Sequence, residues 1–278
     1  MPTRPNPRLF TAAAAAAAMA LLACGTRGQG AANPERQSEA EYDLARDFFY
    51  KGDARVALDH AQKAVEFDDS NTKALYFAST LFLFFCSGKD GLAGVDCKLP
   101  QAESYARRSL SQDSAFRDAR NLLGQILILE GRHAEAVKEL QPLVDDPSYS
   151  SSYLAWGNLG WAQVLGGSLD QGIASLRNSV TQPKFCVGFY RLGVAYEKKG
   201  DLALAEAQFT QAVQVDSPDC QALQDAWKAR GEVRLKQGKK EDACRDLGRC
   251  LEISAETLSG KSCVQTMTHA ACPPAAHG

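Results

Sequence analysis

The stretch FYRLGVAYEKKGDLALAEAQFTQAVQVD, running from Phe189 to Asp216, constrains the fold more than any other part of the chain. Apolar or small residues fall at Phe189, Leu192, Gly193 and Tyr196, Gly200 interrupts them, and Ala205, Phe209 and Ala212 resume the stripe. Steps of three and four place each set on one face of a helix, and the glycine between them supplies a turn. Small residues at Gly193 and Ala205 let the two helices approach closely while the aromatics fill the remaining space. The same frame fits elsewhere: Leu44, Ala45, Phe48, Gly52, Ala57 and Ala64; Leu123, Gly124, Leu127, Gly131, Ala136 and Leu140; Trp156, Leu159, Gly160, Gly167 and Leu176; Trp227, Gly231, Gly238, Ala243 and Leu247. A disguised copy with Leu75, Ala78, Ser79, Phe82, Ala102, Ala106 and Leu110 brings the count to six. One helical pair cannot bury its own apolar face, so six of them are expected to stack into an all-α, right-handed solenoid.

This pattern of Trp, Leu-Gly, Tyr, Ala, Phe and Ala positions resembles the tetratricopeptide repeat, a helix-turn-helix unit of about 34 residues. The resemblance covers residues 38–257. The second copy departs from it through an insertion at about 86–100, CSGKDGLAGVDCKLP. Residues 258–278 are expected to form a C-terminal cap and tail pinned by disulfides.

The N-terminus reads differently. Arg4 and Arg8 precede fourteen uncharged residues, Leu9 to Leu22, and small Ala23 leads into Cys24. This is the layout of a secretory signal, too short to span a bilayer comfortably, which takes about 20 residues. Residues 1–23 are therefore assigned as a signal peptide and 24–37 as a polar, Gly-containing tether. The junction Leu21-Leu22-Ala23-Cys24 resembles a bacterial lipobox, although Leu22 stands where a small residue is more usual. The resemblance implies that Cys24 becomes a lipidated N-terminus, and Gly25 after it implies the outer membrane. A covalent lipid on Cys24 is the sole cofactor-like group expected.

Without Cys24 the chain has eight cysteines, an even number that favours disulfides in an oxidising compartment. Cys86 and Cys97 bracket the Gly-rich insertion and are expected to close it. Cys186 opens the first helix of repeat five and Cys220 follows its second, so hairpin geometry brings them together. Cys244, Cys250, Cys263 and Cys272 leave two pairings open: a turn near Ala255 joins Cys250 to Cys263, and one near Gly260 joins Cys250 to Cys272. A metal site from these four and His269 is the alternative, weakened by the absence of CxxC spacing.

Stacked repeats present their first helices on the concave side. Positions there that face away from the intra-repeat core are Tyr42, Phe49 and Tyr50; Tyr76, Leu83 and Phe84; Ile128 and Leu129; and Leu154, Trp161, Val164 and Leu165. The corresponding residues of repeats five and six include Glu197, Lys198, Lys228, Glu232 and Lys236. Repeats one to four thus read as an apolar groove for an amphipathic helix or extended apolar peptide. The stretch TLFLFFC, Thr80 to Cys86, is apolar on every side and must be covered by a partner or by the fold itself.

Charge and motifs exclude much else. A net charge of −2 offers no basic field for nucleic acid. The four histidines, His60, His133, His269 and His277, stand in no HExxH motif, and neither GxSxG nor a phosphate-binding glycine loop occurs. A dyad of Cys272 with His269 is disfavoured because cysteines oxidised in pairs are poor nucleophiles. The chain does not read as an enzyme. An acylated N-terminus, a short tether and six repeats together resemble the Tgl-like outer-membrane pilotin lipoproteins of type IV pilus biogenesis. That resemblance implies binding to secretin subunits of the pilus channel and promotion of their insertion and multimerisation. The alternatives are a scaffold lipoprotein for β-barrel assembly or cell-wall machinery, and a periplasmic thiol-disulfide protein.

Overall fold

The computed structural model describes residues 33–86, 92 and 94–273; Cys24, the signal segment and His277 lie outside them. Fourteen helices and no strand occur among the described residues. Five consecutive antiparallel pairs come first: α1 (Pro34–Tyr50) with α2 (Ala54–Phe67), α3 (Thr72–Phe85) with α4 (Leu99–Gln112), α5 (Arg117–Leu129) with α6 (His133–Val144), α7 (Ser152–Leu165) with α8 (Leu169–Ser179), and α9 (Cys186–Lys199) with α10 (Leu202–Gln214). A single turn, α11 (Pro218–Gln221), leads to the sixth pair, α12 (Gln224–Lys236) and α13 (Lys240–Ile253), and α14 (Leu258–His269) caps the array. Each helix packs on its neighbours in the chain and, through the first helices, on the next repeat, so the molecule is an all-helical solenoid.

Local chemistry explains the pairs. The turn glycine of five of the six, Gly200 in the fifth, has positive φ, a backbone state that costs a side chain but not glycine. In the second pair the insertion replaces that turn. Close approach fixes the small residue of the first helix: a Cβ added to Gly193 would stand 2.5 Å from the Phe209 ring. Phe209 is fully buried, which contributes about 1.5–3 kcal/mol. Asp53, Asn71 and Asp201 cap their helices by accepting backbone N–H bonds from Val56, Ala74 and Leu204.

The first helix begins earlier than its apolar stripe. Residues 34–37, assigned to the tether, belong to α1: Asn33 accepts a hydrogen bond from the Glu35 N–H and Pro34 occupies the first turn. Buried Ser38 then accepts a bond from Asn71 Nδ2, which ties this extra turn to α3.

The apolar end of α3 is covered mainly by the fold. Phe82 stacks on Tyr105 of α4 and Phe85 lies beneath Arg55 of α2, leaving Phe84 as the exposed member. Arg55 also pairs with Asp96 of the insertion, whose base is closed by a Cys86–Cys97 disulfide. Cys186 is bonded to Cys220, joining the start of α9 to α11. In the tail the chain turns between Ile253 and Leu258, so Cys250 meets Cys263 and Cys244 meets Cys272. Gly260 is a contact and not the turn: a Cβ there would lie 2.1 Å from the Ser254 carbonyl oxygen.

Candidate partner-binding groove

The last turn of each first helix carries one exposed residue in an equivalent place. In chain order these are Tyr50, Phe84, Leu129, Leu165, Lys198 and Lys236. The first four form an apolar rim, with Tyr50 79% and Phe84 48% exposed. Half-buried aromatics back this rim in the first two repeats. Phe49 meets Phe77 and Phe84 edge-on at 5.8 and 5.4 Å, Tyr42 meets Phe77 at 5.9 Å, and Tyr76 packs on Phe116. Leu154 and Trp161 continue it in repeat four, each half-buried.

Three of the residues expected in the groove are not available to a partner. Leu83, Ile128 and Val164 are each only 5–6% exposed and belong to the core between helices. The reason is rotation. Each precedes the rim residue by one position, about 100° around the helix, which turns it inward. Val164, for instance, lies over Gly172 of α8, where an added Cβ would approach it to 2.5 Å.

The apolar surface is also narrower than the helical pattern implies. At the other edge of repeat one a cleft of about 480 Å³ is lined by Glu35, Glu39, Asp43, Arg46 and Lys73 around Tyr42. Burial raises the Tyr42 phenol above its ordinary value. The groove therefore begins polar, becomes apolar along the rim, and ends in charge.

That charged end is internally paired. Lys236 contacts Glu197 at 2.6 Å and Lys228 contacts Glu232 at 2.8 Å. Beneath them lies a cluster the repeat frame did not reveal. Arg230 and Arg234 occupy the places that Leu192 and Tyr196 hold in repeat five. Arg230 donates Nη2 to Asp246 Oδ1 at 2.6 Å and Nε to Oδ2 at 2.9 Å, a bidentate pair nearly sealed from water. Arg234 bridges Asp246 to Glu206, and Lys239 closes the chain on Glu206. Burial works against the Glu206 charge, but bonds from Lys239 and Arg234 outweigh it and hold the carboxyl below its ordinary value. The signal was present in the sequence: arginines four apart on what is otherwise an interior stripe, with an aspartate on the facing helix.

A second arginine is compensated differently. Arg191 of α9 is half-buried and donates Nη1 to the Gly157 carbonyl at 3.1 Å and to Asn158 Oδ1 at 2.8 Å. Its guanidinium stands 5.8 Å from the centre of the Trp161 ring, and Asn158 in turn donates to Asn121 at 3.1 Å. All its acceptors are neutral, and burial pulls its pKa down to about 10.

Among the described residues the histidines and tail cysteines are not gathered into a reactive centre. His60 faces Glu41 at 2.5 Å and stacks on Phe48, His133 opens α6, and His269 bonds to the Gln265 carbonyl. Cys272 is held in its disulfide with Cys244.

Comparison with known proteins agrees with this architecture. A family model described as tetratricopeptide repeat matches residues 98–150 and 190–251. The chain is similar to the crystal structure of PilW, described as a widely conserved type IV pilus biogenesis factor, with TM-score 0.65 and 19% identity over 82% of this chain and 98% of that one. It is similar to PilF of Pseudomonas aeruginosa with TM-score 0.62 and 15% identity, over 84% and 98% of the two chains. It also matches the Cut9–Hcn1 assembly of the APC/C with TM-score 0.69 and 15% identity, covering 84% of this chain and 43% of that one. No significant match is found among curated protein sequences. At these identities the likeness establishes a fold, an array of tetratricopeptide repeats.

Proposed function

We propose that this protein is a lipid-anchored assembly factor of the pilotin kind, held at the outer membrane through Cys24 and facing the periplasm. In this reading it binds secretin subunits of the type IV pilus channel and promotes their insertion and multimerisation. The observation that carries the reading is the apolar rim of Tyr50, Phe84, Leu129 and Leu165, backed by Phe49 and Trp161, on a repeat array. Four apolar residues recurring once per repeat make a ladder that a regular apolar segment of a partner can follow. Further support is the likeness, over almost their whole lengths, to PilF and to PilW, the latter described as a type IV pilus biogenesis factor. The lipid supplies location and the rim supplies grip, so a subunit with an exposed apolar segment is shielded until it joins its neighbours.

The test is a blot of outer membranes, under conditions that preserve secretin multimers, from cells with and without this protein. Loss of the high-mass secretin with its monomer retained is the expected result. Normal multimers overturn the pilotin reading and leave a scaffold for another envelope assembly. Within that experiment Cys24→Ala is expected to leave the membrane fraction. Phe84→Ser with Trp161→Ser is expected to fold and yet lose secretin on co-purification; unchanged capture would sink the rim assignment.

A further inference from the structure

The four disulfides differ in how deeply they lie. Cys250 and Cys263 are both fully buried, and Cys186 and Cys220 are 7% and 4% exposed. Two of the four bridges have a half-buried member: Cys97, bonded to buried Cys86, and Cys272, bonded to Cys244 at 9% exposure. A disulfide is opened by a thiolate that must reach one of its sulfurs, so access sorts these two from the others.

The backbone separates the two. Ala271, next to Cys272, is the one non-glycine residue with positive φ among the described residues, at 47°. It stands where a helix C-terminus usually places glycine: its N–H donates to the Thr268 carbonyl, and the Cys272 N–H donates to that of Met267. A side chain makes this left-handed state costly, so the backbone that holds Cys272 against Cys244 is under strain that opening the bridge releases. Cys97 has no such neighbour. It stands between Asp96, which pairs with Arg55, and Lys98, whose φ is −129°. The rest of α14 does not depend on the Cys244–Cys272 bridge. Cys250–Cys263 pins its middle, Ser259 bonds to Asp225, and Thr257 donates to Gln224 Oε1 at 2.5 Å. Gln224 Nε2 in turn donates to the Cys250 carbonyl at 2.7 Å. Opening Cys244–Cys272 thus frees the chain only from the last turn of α14, whose Met267 belongs to the cluster of Leu247, Cys250 and Cys263.

We propose that Cys244–Cys272 is a site of reversible thiol–disulfide exchange, opened by a dithiol reductant while the other three bridges stay closed. A thiolate of the reductant attacks Cys272 Sγ, the S–S bond breaks, and Cys244 leaves as a thiolate that takes up a proton. The second thiol of the reductant loses its proton, attacks the reductant's own sulfur in the mixed disulfide and displaces the Cys272 thiolate, which is protonated in turn. The reductant leaves as a disulfide, and the protein has gained two electrons and two protons. Because the attacking thiolate comes from the reductant, the site is a target of exchange and not a catalyst of it. The proposal stands apart from the rim reading: it makes the end of the cap the part of the array whose closure follows redox state.

The test is limited reduction of the purified, oxidised protein by dithiothreitol under native conditions, with free thiols alkylated at intervals and mapped by mass spectrometry. Cys244 and Cys272 are expected to be labelled at least about tenfold faster than the other six, with the helical circular dichroism unchanged. Exchange of dithiothreitol for oxidised glutathione should close the bridge again. Earlier or equal labelling of Cys86 and Cys97 overturns the proposal, as does release of all eight thiols together or no labelling short of unfolding. Ala271→Gly, which adopts the left-handed state without strain, is expected to shift the equilibrium with the reductant about fivefold toward the closed bridge. An unchanged equilibrium overturns the link between the backbone and the bridge. Cys244→Ser with Cys272→Ser is expected to keep α14 docked, read as continued protection of Cys250 and Cys263 from the reductant. Their ready labelling in that variant overturns the local character of the opening.

Discussion

In repeats one to four the last turn of the first helix ends on Tyr50, Phe84, Leu129 and Leu165, whereas in repeats five and six it ends on Lys198 and Lys236. The interiors differ in the same sense. Repeats two to four are closed by Leu123, Ile126, Leu127, Leu140 and Leu159 in one continuous apolar core. The last interface replaces part of that core with Arg230, Arg234, Asp246 and Glu206. Disulfides follow suit, since one of the four lies in the first four repeats and three lie in the last two and the cap. The crosslinks thus concentrate where the interface is polar and where α14 closes the end of the array. The first region leaves apolar side chains exposed along its rim, and the second pairs its charges internally.

If the last interface is held by charge, breaking one buried pair is expected to do the most damage. Asp246→Ala leaves Arg230 buried and uncompensated and is expected to cost about 3–5 kcal/mol, read from denaturant unfolding. Replacing both Arg230 and Asp246 by leucine should recover most of that loss, because the desolvation of two charges disappears with them. A cost under about 1 kcal/mol for Asp246→Ala would mean the pair behaves as if exposed, and the contrast between the two regions would dissolve. The crosslinks come next. Cys186→Ser with Cys220→Ser opens a loop spanning 34 residues and is expected to cost about 3–4 kcal/mol by loop entropy. Cys86→Ser with Cys97→Ser, spanning 11, should cost less by roughly 1 kcal/mol. The reverse order would place the crosslink dependence in the first region instead, and equal losses would erase the difference between the two.

Acid gives a gentler probe of the same cluster. The folded Glu206 carboxyl titrates below its ordinary value of 4.5, so its stabilisation is complete above that value and is lost as pH falls through the folded value. Glu206→Gln is expected to be less stable than wild type at neutral pH by about 1 kcal/mol, with the two stability curves converging on acidification. Parallel curves would show that Glu206 does not sense the fold.

How much of this was visible in the residues follows from what a helical frame measures. Six pairs, their turn glycines and the small residues beneath Leu140, Leu176 and Phe209 were legible because each depends on spacing or on size. The end of the tether was not, since the Asn33-Pro34 start of α1 has no apolar stripe behind it, only Ser38 turned inward. Leu83, Ile128 and Val164 were misplaced because periodicity gives the face of a helix and not its depth, and one position separates a rim from a core. Arg191, Arg230 and Arg234 were passed over for a related reason. A charge on a first helix reads as surface unless its partner, here an aspartate or an asparagine on another helix, is already known to face it. The tail cysteines depended on whether the chain turned at Ala255 or Gly260, a choice made by how closely Gly260 packs on Ser254.

The smallest expected effect is also the sharpest on function. Lys236 and Glu197 pair at the surface in the place where the apolar rim would continue, with the Lys236 side chain 54% exposed. An exposed pair of this kind contributes about 0–1 kcal/mol, so Lys236→Ala with Glu197→Ala should leave the unfolding midpoint almost unmoved. If the charged end marks where the partner segment stops, the same double variant should extend the apolar surface and slow release of the proposed secretin partner in a pull-down wash. If release is unchanged, the lysines do not bound the groove. The distinction between the regions would then be one of stability alone, with the rim ending at Leu165 for lack of contact and not because of charge.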